Sequence, residues 1–290
     1  MIMKTKEAIS LFRQHMAPLY PANEIDAMMR VIMEEVMHYS PVDVVMRADD
    51  ELPEFFTTRL ETIISRMERH EPLQYILGIA RFHGHNFKVT PATLIPRPET
   101  EQLVDIIIDE NGDRDDLNVI DLGTGSGCIA ISLARALKFA TVTGTDINYE
   151  ALEVARENAS ALKVRVKWLE ADMLEMPPMP ANSFDIVVSN PPYITMSEQA
   201  GMERNVLDYE PHSALFVPDN DPLLFYRAIA QFAIHALKNG GRLYLEINQY
   251  HGEATAALLR SAGFTDVALH RDSFGNNRFV TATSSSMAFS

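Results

Sequence analysis

In the stretch Asp185-Ile186-Val187-Val188-Ser189-Asn190-Pro191-Pro192-Tyr193, a short unbroken run of β-branched residues stops at a polar side chain, two prolines and an aromatic. An apolar run of this length predicts a strand buried on both faces, as in a parallel sheet. Proline removes a backbone donor and fixes φ, so Pro191 and Pro192 cannot continue a central strand. Asn190 to Tyr193 should therefore form a stiff loop at the carboxyl edge of the sheet, where α/β folds place ligands. The Asn190 oxygen and the Pro191 carbonyl can each accept one hydrogen of a planar NH2, and Tyr193 can pack against its flat face.

Outward from that strand, strands and helices alternate. Strands are predicted at 118–122, 141–147, 164–169, 184–189, 242–247, 266–270 and 278–283. Helices are predicted at 128–138, 149–162, 223–237 and 252–261, with Lys238-Asn239-Gly240-Gly241 read as the C-terminal signal of the third. Such alternation calls for a mostly parallel, doubly wound α/β sheet. The last two strands are joined only by a short turn and must run antiparallel.

Upstream, residues 1–80 show helical spacing and no strand-like alternation. Asn23 is expected to cap a helix carrying Ile25, Met28, Met29, Ile32, Met33 and Val36, and a second amphipathic run carries Leu60, Ile63, Ile64 and Met67. A small helical bundle follows, its methionines read as core filler. Residues 81–97 are assigned to a hairpin and linker, and 98–290 to the α/β domain, opening with Pro98 at the first position of a helix. His83 and His85 have no cysteine or acidic partner at ligand spacing, so no metal site is expected.

Asp121-Leu122-Gly123-Thr124-Gly125-Ser126-Gly127 falls where the first strand of the α/β region turns into its helix. Its G-x-G-x-G spacing is the S-adenosylmethionine variant of a nucleotide loop. A dinucleotide fingerprint would need its third glycine where Cys128 stands. Asp146, at the end of the second strand, is placed to accept ribose hydroxyls. Asp172 and Met173, after the third, would offer adenine a polar contact beside an apolar surface. Loop, ribose acid and Asn190–Tyr193 should converge on one cleft.

The formal net charge of -15 disfavours sequence-independent nucleic-acid binding, which depends on neutralising phosphates. With Cys128 as the single cysteine, no intramolecular disulfide can form. Met1-Ile2-Met3-Lys4-Thr5 lacks an apolar leader core and no later stretch would span a membrane, so a cytoplasmic protein is expected.

These motifs resemble the release factor glutamine methyltransferase (HemK-type) family. The resemblance is carried by EPLQYILG (71–78), TLIPRPETE (93–101), DLGTGSG (121–127), SNPPYI (189–194) and RDSFGNNRF (271–279). It implies transfer of a methyl group from S-adenosyl-L-methionine to the side-chain amide nitrogen of the glutamine in the GGQ motif of class 1 peptide chain release factors. By motif, Gly123, Thr124, Gly125, Ser126, Gly127 and Asp146 would hold the cofactor, with Asn190 touching it. Asn190, Pro191, Pro192 and Tyr193 would hold the glutamine. Relatives that modify a ribosomal-protein glutamine read more like PRSPI in the linker, so Pro96-Arg97-Pro98-Glu99-Thr100 favours the release factor branch. A nucleic-acid amino methyltransferase is the first rival, disfavoured by the acidic balance and by the lack of a basic, aromatic-interleaved target domain. A non-catalytic cofactor-binding protein is the second.

Overall fold

The computed structural model describes residues 3–285, so Met1, Ile2 and the end of the serine tract from Ser286 lie outside the described residues. The chain divides into two compact units. Residues up to Gly78 together with Glu203–Tyr209 form one, and Ile79–Met202 with the residues from Glu210 onward form the other.

The first unit is helical. Its main helices are α1 (Thr5–Met16), α2 (Ala22–Met37) and α3 (Glu54–Met67). Phe12, Met16, Ile32, Met33, Phe56, Leu60 and Ile63 are buried between them. Helix α2 starts one residue before Asn23, with Pro21 at its cap, because Pro21 already holds the extended φ that a cap needs; Asn23 lies inside the first turn. The bundle also carries a two-residue antiparallel ladder, Met3–Lys4 with Glu51–Leu52, too short to leave a period in the sequence.

The second unit is a seven-stranded sheet with helices on both faces. Its strands are β1 (Asn118–Leu122), β2 (Thr141–Asp146), β3 (Lys167–Glu170), β4 (Phe184–Ser189), β5 (Leu237–Glu246), β6 (Phe264–Arg271) and β7 (Asn277–Ser284). They lie in the order β6-β7-β5-β4-β1-β2-β3, with β7 antiparallel to both β5 and β6 and the other pairs parallel. Helices α4 (Pro98–Asn111), α5 (Cys128–Ala136), α6 (Tyr149–Ala161), α7 (Leu224–Ala236) and α8 (Gly252–Ser261) cover it. Side chains of β1 and β4 alternate between two cores. Val119, Ile186 and Val188 meet Leu103, Ile107 and Ile129 on one face, while Ile120 and Val187 meet Tyr226, Ile229 and Leu259 on the other. Burial of each such side chain stabilises by roughly 1.5–3 kcal/mol, so a central strand covered on both faces carries apolar residues at successive positions, as in Val119-Ile120 and Ile186-Val187-Val188.

Three details depart from the sequence-based expectation. Helix α7 ends at Ala236 and the next residue already begins β5. Lys238 to Gly241 instead form an irregularity before Arg242 takes up its pairing with Ile186. Residues 164–166 precede β3 without joining it, after a turn at Leu162 and Lys163 in which Lys163 adopts a positive φ. The hairpin Ile79–Phe82 with His85–Lys88 is no free linker. Phe82 and Phe87 sit in the core of the second unit, and buried Asn158 of α6 accepts from the Lys88 N–H at 2.7 Å and donates to its carbonyl at 3.0 Å.

The chain leaves β1 toward β2 and β3 on one side and returns to β4 on the other. The carboxyl ends of β1 and β4 therefore lie side by side at a topological switch point.

Candidate active site

After Leu122, Gly123, Gly125 and Gly127 all take positive φ, of 74°, 55° and 80°, a path that side-chain-bearing residues rarely follow. Between them Thr124 ties the loop inward. Its N–H donates to the Thr145 carbonyl at 2.7 Å and its hydroxyl to Asp121 Oδ2 at 2.6 Å. Burial pushes the Asp121 carboxyl up to about 7, against the Thr124 hydrogen bond that favours its charged form. Asp146 closes β2 and accepts from the Gly125 N–H at 2.8 Å and from the Asn148 N–H at 2.9 Å. Burial raises its pKa too, opposed by these backbone donors.

The corner after β4 is built with equal care. Ser189 donates to the Leu122 carbonyl at 2.6 Å, locking the two strand ends together. Asn190 Nδ2 donates to Thr100 Oγ1 at 3.2 Å, and that hydroxyl donates to Glu246 Oε2 at 2.7 Å. Tyr193 donates its hydroxyl to Glu246 Oε1 at 3.1 Å, while its carbonyl accepts from Asn248 Nδ2 at 3.1 Å. Glu246 is the last residue of β5 and is almost wholly buried, which raises its pKa; the Thr100 and Tyr193 hydroxyls and the Arg278 charge act the other way.

A cleft of about 320 Å³ opens between these ends. Of the residues predicted from the sequence, Gly123, Thr124, Gly125, Ser126, Asp146, Asp172, Met173, Asn190 and Pro192 line it. Gly127, Pro191 and Tyr193 are not among its lining residues. Gly127 is packed against α5 and β3: a Cβ there would stand 3.0–3.1 Å from Ile131, Trp168 and Ala155. Pro191 is buried, and Tyr193 borders a separate hollow with Glu198 and Asn248, its hydroxyl held by Glu246.

Two side chains at the site, Thr100 and Glu246, have no assigned contact in the sequence-based expectation. Glu210, expected in Glu210-Pro211-His212 only to border the site, has a carboxylate that accepts from Arg97 at 2.6 Å and from the Ile95 N–H at 3.1 Å, fixing the loop that brings Pro96 and Arg97 to the cleft. One sequence signal pointed this way: Glu246 ends the apolar run Leu243-Tyr244-Leu245, and an acid in a buried strand needs partners.

A family model described as the PrmC N-terminal domain matches residues 6–78, and one described as the methyltransferase small domain matches residues 100–207. The release factor glutamine methyltransferase of Bacteroides thetaiotaomicron is 45% identical over 270 residues, 93% of this chain and 96% of that protein. The protein of the same name from Flavobacterium psychrophilum is 42% identical over 281 residues, 96% of this chain and 98% of that protein. Among solved structures, a methyltransferase from Pyrococcus furiosus shares the fold, with a TM-score of 0.51 at 16% identity over 79% of this chain and 98% of that one. Matched to these relatives over nearly its whole length, the chain belongs to the release factor glutamine methyltransferase family.

Proposed function

We propose that this cleft methylates the side-chain amide nitrogen of the glutamine in the GGQ motif of class 1 peptide chain release factors, with S-adenosyl-L-methionine as donor. The observation that carries the reading is that Asn190 and Pro192 line one cleft with the glycine loop and Asp146, so an amide acceptor and a nucleotide cradle share one space. The residues present fit an adenosyl cofactor. A Cβ on Gly125 would meet nothing within 4 Å, so the loop leaves room for a ligand there. Asp146 keeps lone pairs for hydroxyls, and Met173 with Ile147 supplies apolar surface for a flat base. Gly123, Thr124, Gly125, Ser126, Asp146, Asp172 and Met173 would hold this group, which when bound supplies an electrophilic methyl on a sulfonium.

The chain's own part is positioning. An amide nitrogen is a weak nucleophile because its lone pair is delocalised into the carbonyl. The Asn190 oxygen accepts one of its hydrogens and fixes the direction of the nitrogen. That acceptor binds more strongly as positive charge grows on the nitrogen. Leu94, Pro96, Phe216 and Phe225 exclude water from the cleft. The acids that line it are Asp146, occupied by backbone donors, and Asp172, which accepts from the Leu174 N–H at 2.8 Å; the proton released after transfer goes to water. Tyr193 anchors the corner through Glu246.

The N-terminal unit is assigned the docking of the protein substrate, a role for which its exposed Val42, Val45, Met46 and Phe55 are suited. Among the described residues no helix is long and apolar enough to cross a membrane, and cytoplasmic action is part of the proposal.

Mass spectrometry of a release factor incubated with the enzyme and S-adenosylmethionine should find one added methyl on the GGQ glutamine, while DNA stays unmodified. Asn190→Ala should lower turnover by about 100-fold or more with an unchanged melting temperature. Near-normal turnover of that variant, or methyl groups on DNA alone, would refute the assignment.

A further inference from the structure

Thr100 stands in the first turn of α4, Asn190 follows β4 and Glu246 ends β5, three elements far apart in the chain whose side chains form one row, buried at Glu246 and Thr100 and reaching the cleft at half-buried Asn190. The row has a direction. A carboxylate only accepts, so the hydrogen of the Thr100 hydroxyl is committed to Glu246 at 2.7 Å. What Thr100 has left is lone pairs, and these can meet the Asn190 side chain only through its NH2, at 3.2 Å. An Asn190 turned the other way would set its oxygen against the Thr100 oxygen with no hydrogen between them, in a place where Thr100 is 2% exposed and water is scarce. Tyr193 holds the second oxygen of Glu246, so the carboxylate cannot swing to release Thr100.

We propose that Thr100 and Glu246 are positioning residues that set the polarity of the Asn190 amide, turning its oxygen toward the cleft, and that this polarity selects a carboxamide side chain over a carboxylate. The inference rests on the reading of the cleft as a glutamine site. A glutamine offers an N–H to the Asn190 oxygen, whereas a glutamate offers none and sets its own oxygens against that acceptor. Were the amide free to turn, its NH2 would welcome the carboxylate and the preference would narrow.

Thr100→Val keeps the shape and removes the acceptor, and Thr100→Ser restores it. Binding of two peptides that differ only in GGQ against GGE is measured by calorimetry on the full chain with S-adenosylhomocysteine present. The unsubstituted enzyme should prefer GGQ by at least about tenfold; Thr100→Val should narrow the preference to about twofold or less, with S-adenosylhomocysteine affinity unchanged, and Thr100→Ser should recover it. A preference undiminished in Thr100→Val overturns the proposal while leaving the methyltransferase reading intact. Amide NMR gives a second readout that needs no substrate. The Asn190 side-chain NH2 signal, assigned by its loss in Asn190→Ala, should be protected from exchange in the unsubstituted protein. It should also shift in Thr100→Val and return in Thr100→Ser. An unprotected or unmoved signal overturns the proposal even if neither peptide binds, an outcome that would itself count against the glutamine reading.

Discussion

Asp121 illustrates how much a single buried acid can ask of the fold. Its carboxyl lies under the glycine loop, fully out of water, with one hydroxyl donor at Oδ2. The folded pKa of about 7 lies above that of an unfolded aspartate, so the folded state keeps a proton the unfolded chain has lost. Stability from this group is complete below about pH 4 and is lost as pH rises through 7, a loss on the order of 4 kcal/mol. Asp121→Asn keeps an acceptor for Thr124 and removes the titration. Urea unfolding should therefore show the variant gaining on the unsubstituted protein by a few kcal/mol between about pH 5 and pH 8; a constant difference across that range would mean that Asp121 does not titrate there. At this scale the sequence was legible where a residue's place follows from its own strand. Asp146 ends β2 and Asn190 directly follows β4, and the cleft receives both. The bonds of Thr100, Glu210 and Glu246 were not legible because their partners lie 53 to 146 residues away, and no local pattern encodes such a bond.

Elements were read well where hydrophobic period and backbone chemistry agreed, as in β1, β4 and α8. They were misread where a local signal competed with pairing. Lys238-Asn239-Gly240-Gly241 has the composition of a helix end, yet hydrogen bonding to β4 claims Leu237 for the sheet and leaves the glycines to absorb the irregularity. Gly144 is a glycine whose reason appears only across strands. It pairs with Trp168 on β3, and a Cβ there would lie 2.5 Å from Trp168 Cζ3 and 3.0 Å from Thr124 Oγ1. The indole fills the space that a side chain on β2 would take, beneath the loop that lines the cleft. Gly144→Ala should displace the ring and destabilise by about 1–3 kcal/mol. Trp168 is the only tryptophan, so its own emission should shift to longer wavelength in the native variant while the urea midpoint falls. An unchanged midpoint with unshifted emission would show that the ring yields at no expense.

Each of the two units has a hydrophobic core of its own, one among the N-terminal helices and the other layered on the two faces of the sheet. Which residues belong to which was only partly readable: Glu203–Tyr209 join the N-terminal unit, with the Tyr209 hydroxyl donating to the Arg69 carbonyl at 2.7 Å, and nothing in that segment's composition separates it from its neighbours. Two cores give two cooperative units, so equilibrium unfolding should depart from a single transition. The molecule is suited to a test because Trp168 reports only on the sheet, whereas far-ultraviolet circular dichroism also counts α1, α2 and α3. The dichroism curve in urea should contain a component absent from the fluorescence curve. S-adenosylhomocysteine, taken up in the sheet unit, should then act selectively. At about 100 times its dissociation constant it adds roughly 2.7 kcal/mol to whatever binds it, and the fluorescence transition should move to higher urea while the extra dichroism component stays in place. Curves that coincide with and without the ligand would show that the two cores melt as one, and that the N-terminal helices draw their stability from the same cooperative structure as the cleft.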